Sequence, residues 1–231
     1  MKKQLVFYKG GRLKFVGHLD LMRTLQRAIT RAAIPLAYSQ GFNPHPQMSF
    51  ASPLALGWTG EQEVMEIKLE QEMADDAVMN QLNAQLPEGL NIIRCRTIEE
   101  GAPSVMAQVQ AALYRIVFPS EERTSWPALI DDYMRQESIL LQKMGKVRGR
   151  KQRVEVDVKP LIFDWQLEDA QTLLLLCACG SEQNLKPDLL VHALYQQMGR
   201  EELKFEEQIT RLELFGKSEF GFQSLSHPGE I

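Results

Sequence analysis

His18 and His45 are the side chains whose type and surroundings most suggest chemistry in this sequence. His45 stands between two prolines in Ser39-Gln40-Gly41-Phe42-Asn43-Pro44-His45-Pro46. Each proline fixes its own φ and pushes the residue before it towards extended backbone, so the main chain of His45 is ordered before any ligand arrives. Gly41 permits a sharp turn just ahead, and Phe42 is expected to anchor the loop to the core. A loop of this kind suits recognition or catalysis, and equally a tight structural turn. His18, in Gly17-His18-Leu19-Asp20, falls at the expected start of a helix, where free N–H groups and the positive end of the dipole favour an anion. Capping the helix or bonding Asp20 is its alternative role. Brought together, the two imidazoles could act as an acid–base pair or, with Asp20, hold a metal. Spacing alone does not bring them together, and no metal site is assigned.

The helix behind His18 is well marked. Leu21 or Met22, Leu25, Ala28 or Ile29 and Ala32 recur on one face, and Pro35 follows the end, which predicts a helix over residues 19–33. Arg23, Arg27 and Arg31 recur every fourth residue and line another face. Like charges at that spacing repel slightly, so the stripe is either solvated or opposite an anion. Arg12 and Lys14 precede it, interleaved with Tyr8, Phe15, Tyr38 and Phe42, a mixture suited to single-stranded or looped nucleic acid. Residues 1–60 carry eight Lys/Arg against one acid, +7, in a chain whose formal net charge is −4. A second basic cluster, Lys146, Arg148, Arg150, Lys151 and Arg153, interrupts the acidic remainder. Such asymmetry points to an anionic partner for one face.

The elements that must position these residues read as α+β. Strands are expected at 4–9, 13–16, 48–56, 64–69 and 90–96, with a second helix at 74–86. The second half repeats the order, with strands at 112–118, 138–144, 153–158, 171–179 and 203–215 and helices at 125–136 and 187–198. The reading is two tandem ferredoxin-like (βαββαβ) domains, 1–100 and 108–215, followed by a flexible tail at 216–231. Cys177 and Cys179, one residue apart, read as buried strand positions, because a bridge there would be strained. His192, between Leu190, Val191 and Leu194, is expected in the core, and His227 is given no role. The longest apolar run is far short of the ~20 residues that a membrane helix needs, so the protein is expected in the cytoplasm. No glycine-rich phosphate loop, zincin motif, nucleophile elbow or paired-cysteine zinc signature occurs, and no cofactor is expected.

The stretch KGGRLKFVGHLDLMRTLQRAITRAAIPLAYSQGFNPHPQMSFASPLALG closely resembles the opening of a bacterial radical-SAM-associated (radical-SAM-linked) family of unknown function. That family's pattern is a basic aromatic strand, a (Ser/Gly)-His-Leu-Asp helix start, a helix with several arginines, and Ser-Gln-Gly-Phe-Asn-Pro-His-Pro. The likeness is weaker from residue 57 to about 215, with KVRGRKQRVEVDVKPLI as its second recognisable piece. It implies an accessory role beside a cobalamin-type radical-SAM protein, delivering or holding RNA or another anionic substrate. The chain lacks a Cys-x3-Cys-x2-Cys motif, so it resembles the stand-alone form and cannot hold that cluster itself.

The expectation is therefore an accessory binding protein rather than an enzyme. Arg12, Lys14, Arg23, Arg27 and Arg31 would neutralise phosphates, while His18, Ser39, Gln40, Asn43 and His45 supply oriented hydrogen bonds. Lys146, Arg148, Arg150, Lys151 and Arg153 would meet the same ligand or the partner enzyme. The alternatives are an enzyme using His18 and His45 as acid and base on RNA or a phosphorylated small molecule, and a protein–protein adaptor.

Overall fold

The structure, a computed structural model, describes residues 1–120, 125–147, 150–199, 207–219 and 221–227; for residues 143–147, 150, 151 and 153 it describes the backbone alone. The protein is mixed α+β with mostly antiparallel strands. It divides into two compact units, Met1–Ala112 with Thr210–Ile231, and Leu113–Ile209. Among the described residues no helix is long and apolar enough to cross a membrane.

The first unit contains β1 (Lys2–Lys9), α1 (His18–Arg31), β2 (Met48–Phe50), β3 (Thr59–Lys68), α2 (Asp75–Asn83), β4 (Leu90–Ile98) and a short α3 (Val105–Gln108). β1 lies between β4 and β3, antiparallel to both, and β2 pairs antiparallel with β3. In β1 the alternation places Leu5 and Phe7 with Met65 and Ile67 of β3 against Leu21, Leu25, Ala28 and Ile29 of α1 and Val78 and Leu82 of α2. Each of these side chains larger than alanine contributes about 1.5–3 kcal/mol of burial. This packing leaves the arginine stripe of α1 on its outer surface.

The second unit begins in β5 (Ala111–Val117) and continues through α4 (Trp126–Met134), β6 (Leu140–Val147), β7 (Arg150–Asp157), β8 (Ile162–Leu167), β9 (Thr172–Ala178) and α5 (Pro187–Gln197). The chain leaves it by β10 (Gln208–Ser218), whose start in the first unit pairs parallel with β3 through Thr210 and Thr59. β9 lies between β5 and β8, whereas β6 and β7 form a two-stranded ribbon of their own. Trp126 fixes α4, stacking on Phe118 at 4.4 Å, meeting Tyr195 of α5 edge-on at 5.6 Å and donating Nε1–H to Pro119 O at 2.9 Å. Cys177 and Cys179 are buried and unbridged, as their strand pattern implied. Burial raises the Cys177 thiol pKa, with the neighbouring Cys179 adding to the shift.

Several local expectations are corrected. Residues 13–16 do not form a strand. Gly11 adopts φ +56, and the chain coils into a 3-10 turn over Gly11–Phe15, with Leu13 N–H donating to Gly10 O and Val16 N–H to Leu13 O. β2 stops at Phe50, three residues before Pro53, which has no N–H to give a ladder. β8 went unread because exposed Phe163 and Asp164 interrupt its alternation. Part of the expected loose tail is regular: β10 runs to Ser218 and β11 (Gly221–Ser224) pairs back onto it, while residues 220 and 228–231 lie outside the described residues. Ser226 beyond it is fully buried: its Oγ–H donates to Glu213 at 2.8 Å, and its carbonyl accepts from Arg94. His192 is exposed, because the buried stripe of α5 is Pro187, Leu190, Val191, Leu194 and Tyr195, and residue 192 falls off it.

Candidate functional site

The proline-bracketed loop is built outward from the end of β3. Ala37 N–H donates to Lys68 O, Lys68 N–H to Gln47 O, and Gln47 N–H to Ala37 O, each at 2.8 or 2.9 Å. Above that base, Tyr38 and Pro46 form a β-bridge, and the Gln47 side-chain amide donates to Tyr38 O. Ser39 and His45 then close the loop twice: Ser39 N–H donates to His45 O at 2.8 Å, and His45 N–H donates to Ser39 Oγ at 2.9 Å. Ser39 thus acts by shaping the loop. Gly41, at φ +135, takes a backbone conformation that a side chain would strain.

Gln40, Gly41, Phe42, Asn43, Pro44 and His45 are all exposed. Phe42 does not anchor the loop. Its side chain is 106% exposed, because the short Ser39–His45 closure leaves the tip no neighbouring surface to pack on. An aromatic ring held out by a loop ordered from within is a stacking surface that loses little freedom on binding.

His18 opens α1 behind Gly17, half-buried, its ring edge-on to Phe50 at 5.0 Å. Among the described residues no hydrogen bond joins His18 to His45. Nor does any group of three His, Cys, Asp or Glu stand where it could hold a metal ion. The three arginines of α1 are exposed but differ in engagement. Arg23 pairs with Asp20 at 2.9 Å, and Arg31 donates to Gln85 O at 2.8 Å, just past the C-terminal end of α2. Arg27 has no such partner among the described residues. Arg12 is exposed in the 3-10 turn, and the Lys14 ammonium sits over the Phe15 ring at 5.1 Å.

Two lysines counted as surface charge are buried. Lys3 donates to Met73 O at 2.7 Å, Asp75 Oδ1 at 2.5 Å and Thr97 Oγ1 at 2.7 Å. Lys9 is buried where desolvation pulls its pKa down, Glu63 raises it and Arg211 lowers it. Glu63 is itself buried and takes a two-pronged ion pair from Arg211, Nε at 2.7 Å and Nη2 at 2.5 Å. Arg211 also donates to Ser52 O, which ties the segment after β2 to β10. The strand alternation Lys3, Leu5, Phe7, Lys9 carried that signal, because both lysines share their phase with core residues.

Of the second basic cluster, Arg148 lies outside the described residues, and Lys146, Arg150, Lys151 and Arg153 are described by their backbone in the β6–β7 ribbon. These four therefore sit on one hairpin of the second unit, and the remaining candidates sit on the first.

Fold and site together define a mixed α+β protein whose first unit displays an ordered aromatic loop and a basic helix. Residues 2–187 match the family described as uncharacterized protein conserved in bacteria (DUF2344), and the chain belongs to it. No curated protein matches the chain.

Proposed function

We propose that the protein is a cytoplasmic accessory factor that binds single-stranded or looped RNA through its first unit and serves a radical-SAM enzyme. The observation that carries this reading is the loop: Phe42, Asn43 and His45 project from a scaffold closed by the Ser39–His45 bonds. Arg27 and Arg12 are exposed on the same unit and would take up phosphates, while Phe42 stacks on a base. The order β4-β1-β3-β2, with α1 and α2 packed over one face, supports a ferredoxin-like plan for this unit, and the strand–helix alternation of the second unit is read as a variant of it with the β6–β7 ribbon inserted. The partnership with a radical-SAM protein rests on the family resemblance of the first 57 residues.

Fluorescence anisotropy of an end-labelled unstructured RNA tests the reading. Affinity should fall as salt rises, with a log–log slope of about −0.7 for each phosphate engaged. Phe42→Ala should weaken binding without changing that slope. An affinity indifferent to salt would remove the phosphate contacts, and retention of a radical-SAM protein with no RNA would make the protein an adaptor.

A further inference from the structure

The sheet of the first unit has a second face, which α1 and α2 do not cover. In the strand register Gln4 lies between Glu66 and Arg96, and this row shares its phase with Val6 and Val64, opposite to Leu5 and Phe7. Gln4 and Glu66 are buried although polar. Both oxygens of Glu66 are engaged, Oε2 by Lys2 at 2.8 Å and Oε1 by the N–H of Val105 in α3 at 3.1 Å. Arg96, at the other end of the row, is satisfied only in part. Its Nε–H donates to Gln4 Oε1 at 2.6 Å, and among the described residues its two Nη groups have no hydrogen-bond or ion-pair partner.

Half-buried Arg96 lines a cleft of about 240 Å³ whose other walls come from α3, the end of β10 and β11. Gln108, Gln110, Lys217, Gln223 and Ser224 complete its polar lining, and no acid among the described residues contributes to it. Gly216 lets β10 approach: a Cβ there would stand 3.2 Å from Gln108 O and 3.1 Å from the Leu225 side chain. Lys217 is exposed and has no ion-pair partner among the described residues. Arg94, two residues before Arg96 on β4, gives its Nη1–H to a carbonyl, Ser226 O, so its charge is not neutralised there. Burial and the Arg94 charge lower the Arg96 pKa, against which Glu66 raises it. Two cations therefore border a cleft of amides and a hydroxyl with no carboxylate in its walls. A guanidinium held partly out of water in this way is stabilised by an oxyanion, whose two oxygens match its planar fork. The volume lies below the roughly 300–1,000 Å³ of drug-sized sites, so the guest is small.

We infer that this cleft binds a small molecule through a carboxylate or phosphate group, with the Arg96 guanidinium and the Lys217 ammonium on its anionic oxygens and Gln110 and Gln223 on its other polar atoms. The site lies on the sheet face opposite α1 and is independent of the RNA-binding reading.

Backbone amide NMR of the full chain, titrated separately with inorganic phosphate and malonate, tests it. Phosphate or malonate should shift the Gly216 and Lys217 amides to saturation, whereas chloride at matched ionic strength should leave them in place. Arg96→Gln should weaken that response about ten-fold. Lys217→Gln, a surface change that leaves the Arg96–Gln4 bond intact, should weaken it about three-fold. Shifts that chloride reproduces, or none from either oxyanion, overturn the inference. So does an affinity unchanged in Lys217→Gln, which decides alone if Arg96→Gln does not fold. An unstructured RNA that shifts the same amides at lower concentration than either probe would give the cleft to nucleic acid and overturn its assignment to a small molecule.

Discussion

Strand β1 and helix α1 each carry three cations and use them in opposite ways. Lys3 and Lys9 alternate with Leu5 and Phe7 and are buried, and Lys2 pairs with buried Glu66 at 2.8 Å. Arg23, Arg27 and Arg31 lie on the face of α1 away from the core and are exposed. Three of the eight cations counted over residues 1–60, Lys2, Lys3 and Lys9, are therefore engaged inside the unit. Charge patterning predicts a ligand only after strand phase has removed the cations that the fold itself consumes.

The sharpest way to break this contrast is at Glu63, the anion nearest two buried cations. Glu63→Gln leaves the Arg211 guanidinium with a neutral partner and Lys9 with less compensation. Urea unfolding at neutral pH should show a loss of about 3–5 kcal/mol. Lys9 gives the effect a pH signature. Its folded pKa lies below its unfolded value, so the folded state sheds the proton first and stability rises with pH across that window. Glu63→Gln should therefore recover part of its loss between neutral pH and about pH 10, near the unfolded lysine pKa. A variant equally unstable throughout would show that Lys9 is not coupled to Glu63.

Lys3 comes next. Lys3→Ala removes three hydrogen bonds and the stem that fills their surroundings, an expected loss of about 2–3 kcal/mol. Its partner Asp75 sets an acid limb. Burial alone would raise the Asp75 pKa, but the bonds from Lys3 and Thr97 outweigh it and hold it below the usual carboxylate value. Its contribution is full above the unfolded pKa of about 3.9 and is lost as pH falls through the lower folded value. Wild type should lose stability over that window, and Lys3→Ala should lose less of it, as acid titration of the unfolding midpoint would show.

What was legible follows the same division. The α1 stripe, the alternation of β1 and the burial of Cys177 in β9 were readable, since each is a periodic pattern facing a uniform core. The 3-10 turn at Gly11, the hairpin of β11 on β10 and the exposure of Phe42 were not: the first two are short local folds that carry no hydrophobic period, and the third depends on the Ser39–His45 closure. Arg211 was unreadable for another reason: its partner Glu63 is 148 positions away, and only the fold brings the two together. The Ser39–His45 closure occupies an intermediate place. The prolines announced an ordered loop, while the two bonds that order it needed coordinates.

Phe42 and Ser39 separate display from shape within the loop. Phe42→Ala removes a fully exposed ring, so stability should stay within about 0.5 kcal/mol of wild type. RNA affinity should fall by about 1–3 kcal/mol if the ring stacks on a base. Ser39→Ala keeps the ring but removes the acceptor of the His45 N–H, and should weaken binding less while raising local hydrogen exchange around residue 45. Equal binding losses would mean that the ring contributes nothing beyond the loop's order.

The smallest effects discriminate within α1 itself. Arg27 has no hydrogen-bond or ion-pair partner among the described residues, whereas Arg31 donates to a carbonyl just past the end of α2, where a cation also complements the helix dipole. Arg31→Gln should cost about 0.5–1 kcal/mol of stability. Arg27→Gln should cost none that urea unfolding resolves, because a solvated cation flanked by Arg23 and Arg31 one turn away loses only mild repulsion on removal. In RNA binding the order reverses: Arg27→Gln should reduce the salt slope by about 0.7, the value of one phosphate contact, and Arg31→Gln by less, since its guanidinium is already engaged. Identical slopes in the two variants would mean that the stripe acts only through its summed field, and that the hydrogen bond to Gln85 does not withhold Arg31 from the ligand.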